Sequence, residues 1–204
     1  MNTVSSDQRK YELKARAERQ RQTRERIVGA TVDLHREVGP ARTTIADIAR
    51  QAGVQRLTVY NHFPELSDLL SACQGHFLAS NPPPNITAGG SRQQPLTRLE
   101  EALTDLYAWY RSNEAMERHV HHDRHLIAEL DDLMRRNADP RLDAAAADYA
   151  ELIAPQPAAV ARLRGLIRVA LEFRTWEVLA HQGIPDRQIA DLFRCAVGAS
   201  AAAP

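Results

Sequence analysis

The stretch Thr44 to Phe63, TIADIARQAGVQRLTVYNHF, limits the fold more than any other part of the chain. It reads as two short helices joined by a tight turn. Thr44 stands where it can cap the first helix, and Asp47, three residues on, completes a Thr-x-x-Asp capping box. Ile45, Ile48, Ala49 and Ala52 recur at i, i+3, i+4 and i+7, a single apolar stripe. Gly53 then ends the helix, because glycine takes a left-handed cap without steric cost. Val54 anchors the turn. The second helix is expected from Gln55 to His62, with Val59 and Phe63 facing inward. Ala49 is small where that helix crosses it. A small residue, a glycine four residues on and an aliphatic six further on are the packing demands of a helix-turn-helix.

The second helix closes on TVYNHFP, residues 58–64. This run resembles the recognition-helix ending of the TetR (tetracycline repressor) family of one-component transcriptional regulators. The resemblance is good over residues 24–78 and extends elsewhere only to the helical layout. It implies an all-α fold of about nine helices. An N-terminal three-helix DNA-binding domain would precede a C-terminal helical domain for ligand binding and dimerisation. The implied partners are a palindromic double-stranded DNA operator, a small-molecule effector and a second copy of the chain.

Composition agrees. At 204 residues the chain can bury a sizeable core, as one large domain or two small ones. No alternating strand pattern recurs, so helices are expected throughout. Net charge is zero, yet residues 1–63 hold 12 Lys+Arg against 7 Asp+Glu, and residues 64–204 hold 14 against 19. A basic head on an acidic body is the asymmetry of a nucleic-acid reader. Cys73 and Cys195 lie far apart with no CxxC, which fits a reducing cytoplasm. The first residues lack the apolar core of a signal peptide, and no apolar run is long enough to span a membrane.

Along the chain, residues 1–22 form a basic arm, 23–64 the helix-turn-helix domain and 65–204 the effector and dimerisation domain. Residues 1–8 are polar and expected to lack order. The arm reads either as a solvated helical extension or as a segment that tracks phosphates or enters the minor groove. The first helix proper is expected near Thr23, with Ile27, Ala30, Thr31, Leu34 and Val38 buried, and ends at Gly39-Pro40. Further helices are expected after Pro64, over 96–113, 114–125, 127–153 (with a break near Pro140), 158–182 and 186–199. Residues 81–95, and the turn at Pro155 and Pro157, are loops by composition.

The N-terminal residues of a recognition helix lie nearest the base edges, which places Gln55, Arg56 and Thr58 toward bases or nearby phosphates. Arg56 suits guanine and Gln55 adenine. The resemblance implies that Tyr60 and His62 reach phosphates, with Asn61 variable between them. Thr44 can offer its N–H or hydroxyl to a phosphate at a helix N-terminus. Three positions depart from the family pattern. Gln55 stands where many members have a capping serine, Leu57 where a small residue is common, and Leu66 where many have a phosphate-anchoring lysine.

In the body, the resemblance implies an apolar effector pocket. Trp109, Tyr110, Met116, Phe173 and Trp176 are its candidate lining, each equally readable as core. His119, His121, His122 and His125 form a cluster. His121, His125 and Glu129 would share one face of a continuous helix, a weak metal signal that surface polarity also explains, and no metal or cofactor is expected. No phosphate loop, nucleophile elbow or metal triad occurs, so catalysis is not expected. The rival reading is a helical enzyme or metal-binding bundle with an incidental helix-turn-helix. For dimerisation, the last two helices look apolar on more than one face, with Leu166, Ala170, Ile189, Phe193, Ala196 and Val197 as candidate contacts.

Overall fold

The computed structural model describes residues 3–89, 94–154 and 156–202, and its contacts divide the chain into two units, Met1–Ser80 and Asn81–Pro204. Met1, Asn2, Pro155 and residues 90–93 of the expected 81–95 loop lie outside the described residues. The described residues form ten α-helices and one 3-10 turn, with no strand.

The first unit, the head, holds α1 (Thr3–Glu37), the 3-10 turn Pro40–Arg42, α2 (Ile45–Ala52), α3 (Arg56–His62) and α4 (Leu66–Ser80). α1 corrects the sequence reading, which started this helix near Thr23 and left residues 1–8 without order. No glycine or proline occurs from Thr3 to Val28, and good helix formers fill the stretch. Arg21 also bridges Glu18 at 2.6 Å and Glu25 at 2.5 Å, tying three turns together. The helix stops at Gly39, whose φ of 90° suits glycine, with Pro40 beyond it. Ile27, Val28, Ala30 and Leu34 of α1 bury against Ile48, Ala49 and Ala52 of α2, Val59 and Phe63 around α3, and Leu69 of α4. Leu69 therefore belongs to the head core. The sequence drew its boundary at residues 64 and 65, whereas the contacts group all of α4 with the head. Cys73 of α4 is buried with its Sγ 3.5 Å from His35 Nδ1 of α1.

The second unit, the body, holds α5 (Pro95–Ser112), α6 (Glu114–Asp123), α7 (Ala128–Ile153), α8 (Pro157–Ala170), α9 (Phe173–Ala180) and α10 (Asp186–Ala202). α10 packs on α5 and α8, α7 on α8 and α5, and α6 on α9. Ile86 and Ala88, from the Pro/Gly-rich stretch, are buried in the same core as Leu103, Tyr107, Tyr149, Leu163 and Trp176. α7 runs through Pro140 without the expected break, although a proline there cannot donate to the carbonyl of Arg136. Beside it, the Arg124 guanidinium donates to Asp139 at 2.8 Å and to Asp131 at 2.8 Å, holding the α6–α7 corner onto α7.

The helix expected over 158–182 is two helices. α8 ends at Ala170 and α9 begins at Phe173, with Glu172 extended at ψ 132°. The last turn of α8 closes with the Glu172 N–H on the Val169 carbonyl at 3.2 Å, and the ladder of α9 starts at the Glu172 carbonyl. The carbonyls of Ala170 and Leu171 fall between the two. Each accepts a buried tyrosine hydroxyl from α5: Tyr107 on Ala170 at 2.7 Å and Tyr110 on Leu171 at 2.8 Å. A break that would otherwise leave buried acceptors orphaned is thus satisfied from another helix.

Candidate nucleic-acid interface

The turn between α2 and α3 has the local geometry its sequence calls for. The Asp47 N–H donates to Thr44 Oγ1 at 3.2 Å, while the Thr44 N–H at 3.3 Å and its hydroxyl at 2.5 Å both donate to the Asp47 carboxylate. That reciprocal box holds Asp47 below the usual carboxylate range, through the Thr44 side chain first. Gly53 sits at φ 66°, ψ 41° and closes α2 onto the carbonyls of Ala49 and Arg50. The box has a consequence for Thr44: both donors expected to reach a phosphate are engaged by Asp47. α3 begins at Arg56, one residue later than expected, and Gln55 is its N-cap with no side-chain cap bond. The amide of Gln55 is therefore not spent on its own helix.

Val59 is fully buried and Phe63 nearly so, which turns the other side of α3 outward. Gln55, Arg56, Leu57, Tyr60 and Asn61 are exposed, and Thr58 and His62 are half-buried. Of the seven expected DNA-facing residues, six thus sit on α3 or its cap with accessible side chains, and Thr44 lies at the start of α2. Leu57 is 66% exposed and Leu66, at the start of α4, 42%, so two apolar side chains project from the head without a partner in the core.

α1 contributes more than support. The Arg24 guanidinium lies 4.6 Å from the centre of the Phe63 ring and so covers the end of α3. Next to it, an open cleft of about 620 Å³ is lined by Glu12, Arg16, Arg19, Gln20 and Thr23 of α1 and by Thr58 and His62 of α3. The sequence reading named Arg16 and Arg19 only as part of an arm. It missed that a rigid α1 sets them opposite the recognition helix. The 3-and-4 spacing of residues 12, 16, 19, 23 and 26 was the available signal.

In the body, three of the five candidate pocket residues touch one another. The Tyr110 ring meets Phe173 edge-on at 5.3 Å and Trp176 at 5.8 Å, and Phe173 lies 5.5 Å from Trp176. Trp109 touches Tyr110 but sends its indole N–H to the Asn81 carbonyl, and Met116 is buried on α6. Burial holds the Tyr110 hydroxyl well above its ordinary pKa, so it stays a donor. His121 stacks on Phe173 at 5.2 Å. α6 ends at Asp123 and α7 starts at Ala128, so His121, His125 and Glu129 share no continuous helix. Among the described residues, no group of His, Cys, Asp or Glu is placed to hold a metal. Of the candidate dimer contacts, Ala170, Ile189, Phe193 and Val197 are buried within the chain's own body, while Leu166 and Ala196 are half-buried. Leu192 on α10 and Val169 on α8, at 52% and 49% exposure, are large apolar side chains left outside the core.

Residues 27–73 match the model of the bacterial regulatory proteins of the tetR family, a span that takes in the last third of α1, α2, α3 and the first half of α4. The chain is also similar to a TetR-family transcriptional regulator of Syntrophomonas wolfei, at 16% identity and a TM-score of 0.61, covering 90% of this chain and 96% of that one. A TetR transcriptional regulator of Rhodococcus sp. RHA1 is 20% identical with a TM-score of 0.47, covering 90% of this chain and 97% of that one. No curated protein matches the chain. Residues 27–73 of the head are thus similar to the helix-turn-helix segment of the tetR family, and the all-helical fold is like that of the Syntrophomonas wolfei protein. Among the described residues, no helix is long and apolar enough to cross a membrane.

Proposed function

We propose that the chain is a sequence-specific repressor that binds a two-fold operator as a homodimer and is released by an apolar small molecule. The observation that carries this is the outward face of α3. Gln55, Arg56, Leu57, Tyr60 and Asn61 project from a helix whose buried side is fully used, and none of them serves the core. In this reading Arg56 and Gln55 take base edges, Leu57 packs on a thymine methyl, and Tyr60, His62 and Asn61 hold phosphates or sugars. Thr58 acts from the side of the helix that faces α1. With its side-chain donor committed, Thr44 positions α2 while the free backbone N–H groups of that helix's first turn face the phosphate.

A single head reads too few base pairs for useful selectivity, so two copies act together. Their contact would centre on the α8 and α10 surface, where Leu192, Ala196, Leu166 and Val169 lie outside or half-outside the core. The effector would enter among Trp109, Tyr110, Met116, Phe173 and Trp176. There, aromatic faces supply apolar contact beside the α8–α9 break.

The test is binding of the full chain to duplex DNA from upstream of its own gene, followed by anisotropy at several salt concentrations. Selective, salt-sensitive binding to a two-fold sequence supports the reading. Equal, weak affinity for every duplex would reject it.

A further inference from the structure

α1 is a single helix, and from Gln8 to Arg26 it has no core to pack against. From Gln8 to Arg26 every side chain is exposed except Ala15 and Thr23, which are half-buried. From Thr23 back to Thr3 the helix extends about 30 Å at 1.5 Å per residue. A helix that stays exposed on all sides from Gln8 to Arg26, with even Tyr11 and Leu13 outside any core, either bridges solvent or meets a partner outside its own chain.

Basic residues lie on both sides of it, with Lys10, Lys14 and Arg21 on the side of Glu18 and Glu25. On one side, Glu18 and Glu25 are taken up by Arg21. On the other, residues 9, 12, 16, 19, 23 and 26 follow steps of three and four, so Arg9, Arg16, Arg19 and Arg26 share a face with Glu12 and Thr23. That face forms one wall of the cleft opposite Thr58 and His62. Arg16 has no ion pair or side-chain hydrogen bond among the described residues, and Arg19 donates only its Nε–H, to the Ala15 carbonyl at 3.2 Å. Two guanidinium groups with uncommitted N–H donors thus face the recognition helix across an open cleft.

We infer that this cleft grips the sugar–phosphate backbone of duplex DNA beside the bases that α3 reads, and that α1 extends the footprint as a rigid basic rail. The inference rests on the DNA-binding reading above and adds a second contact surface to it. The occupant follows from charge complementarity and from continuity with α3, whose Thr58 and His62 form the facing wall. A helix is about 10–12 Å across with its side chains, and the minor groove is about 6 Å wide, so α1 follows phosphates and does not enter that groove. Glu12 lies in the same lining and opposes an anion, so it weakens the grip at the outer end of the cleft.

The experiment compares the full-length wild type with Arg16→Gln/Arg19→Gln and with Glu12→Gln. The probes are an operator duplex with long flanks, the same operator trimmed at its ends, and an unrelated duplex. All three positions are exposed, and circular dichroism checks that helicity is unchanged. The double variant should lose affinity for operator and unrelated DNA alike, and its plot of log affinity against log salt should be shallower by about 0.9 for each phosphate lost. Between 50 and 200 mM salt it should therefore lose roughly tenfold less affinity than the wild type. Trimming the flanks should weaken the wild type and leave the double variant almost unaffected, and Glu12→Gln should bind more tightly. If the wild type binds its operator selectively while the double variant keeps the same slope and flank dependence, the rail is overturned and the operator reading stands. A wild type that binds no duplex overturns both.

Discussion

Replacing Tyr110 by phenylalanine removes one oxygen from the body and nothing else. That hydroxyl donates at 2.8 Å to the Leu171 carbonyl, which lies between the hydrogen-bond ladders of α8 and α9. Tyr110 is 4% exposed and Leu171 is fully buried, so water does not easily replace the lost donor. The net loss of a hydrogen bond is about 1 kcal/mol, and a buried acceptor left unpaired raises the cost to about 1–3 kcal/mol. Both tryptophans of the chain, Trp109 and Trp176, are in the body, so intrinsic fluorescence in urea follows the body without signal from the head. With a urea dependence of about 2 kcal/mol per molar, the midpoint should fall by about 0.5–1.5 M. Tyr107→Phe should behave alike, since its hydroxyl serves the neighbouring Ala170 carbonyl. Midpoints of both variants within about 0.2 M of the wild type, about 0.4 kcal/mol at that urea dependence, would show that the two carbonyls are satisfied in some other way and that the tyrosines do not fix the break.

Arg56→Ala should cost about 1–3 kcal/mol and relax selectivity at one base pair, whereas Tyr60→Phe should weaken all sequences alike; a matrix of single-base operator variants separates the two. For the dimer, Leu192→Glu places a charge on an exposed position and should yield folded monomers by sedimentation. Phe193→Glu, at 7% exposure inside the body core, should lose its fold as well. Acid should destabilise the body through Asp139 and Asp186. Hydrogen bonds from Arg124 and from Arg111 hold these carboxyls below their ordinary value of 3.8. A folded pKa lowered in this way adds stability that is complete above the unfolded value and lost as pH falls through the folded one. Urea midpoints measured from neutral pH downward should therefore drop below about pH 4, and Arg124→Gln should flatten that drop; an identical acid profile in the variant would rule out the Arg124–Asp139 pair as a cause.

What the sequence disclosed was local. The capping box at Thr44 and Asp47 and the left-handed cap at Gly53 depend on residues within a turn of each other, so α2 and α3 could be placed to within a residue. The α8–α9 break could not. Leu171 and Glu172 carry no glycine or proline, and the groups that make the break tolerable are hydroxyls some sixty residues earlier, on α5. Ile86 was hidden for a similar reason: a lone aliphatic in a proline- and glycine-rich stretch has no periodicity to reveal its burial. The start of α1 was placed near Thr23, where its buried stripe begins, with the basic arm left open between a helical extension and a segment on DNA; the uninterrupted run of helix formers before Thr23 continues the same helix. On α3 the exposed face followed from Val59 and Phe63 being buried, but the facing wall on α1 depends on a helix continuing past the point where its own core ends.

The two thiols turn this architecture into a set of clocks. Cys73 is wedged between α1 and α4, and burial pushes its thiol up to about 12, so a neutral-pH alkylating reagent reaches it only when those helices part. Its labelling rate measures the opening of the head, which has no tryptophan to report on it. Cys195 is exposed on α10, one turn from Leu192, and should react at once in a lone chain. Its protection at rising protein concentration would time the pairing of chains while the tryptophans follow the body, so site-resolved alkylation and fluorescence read three processes separately.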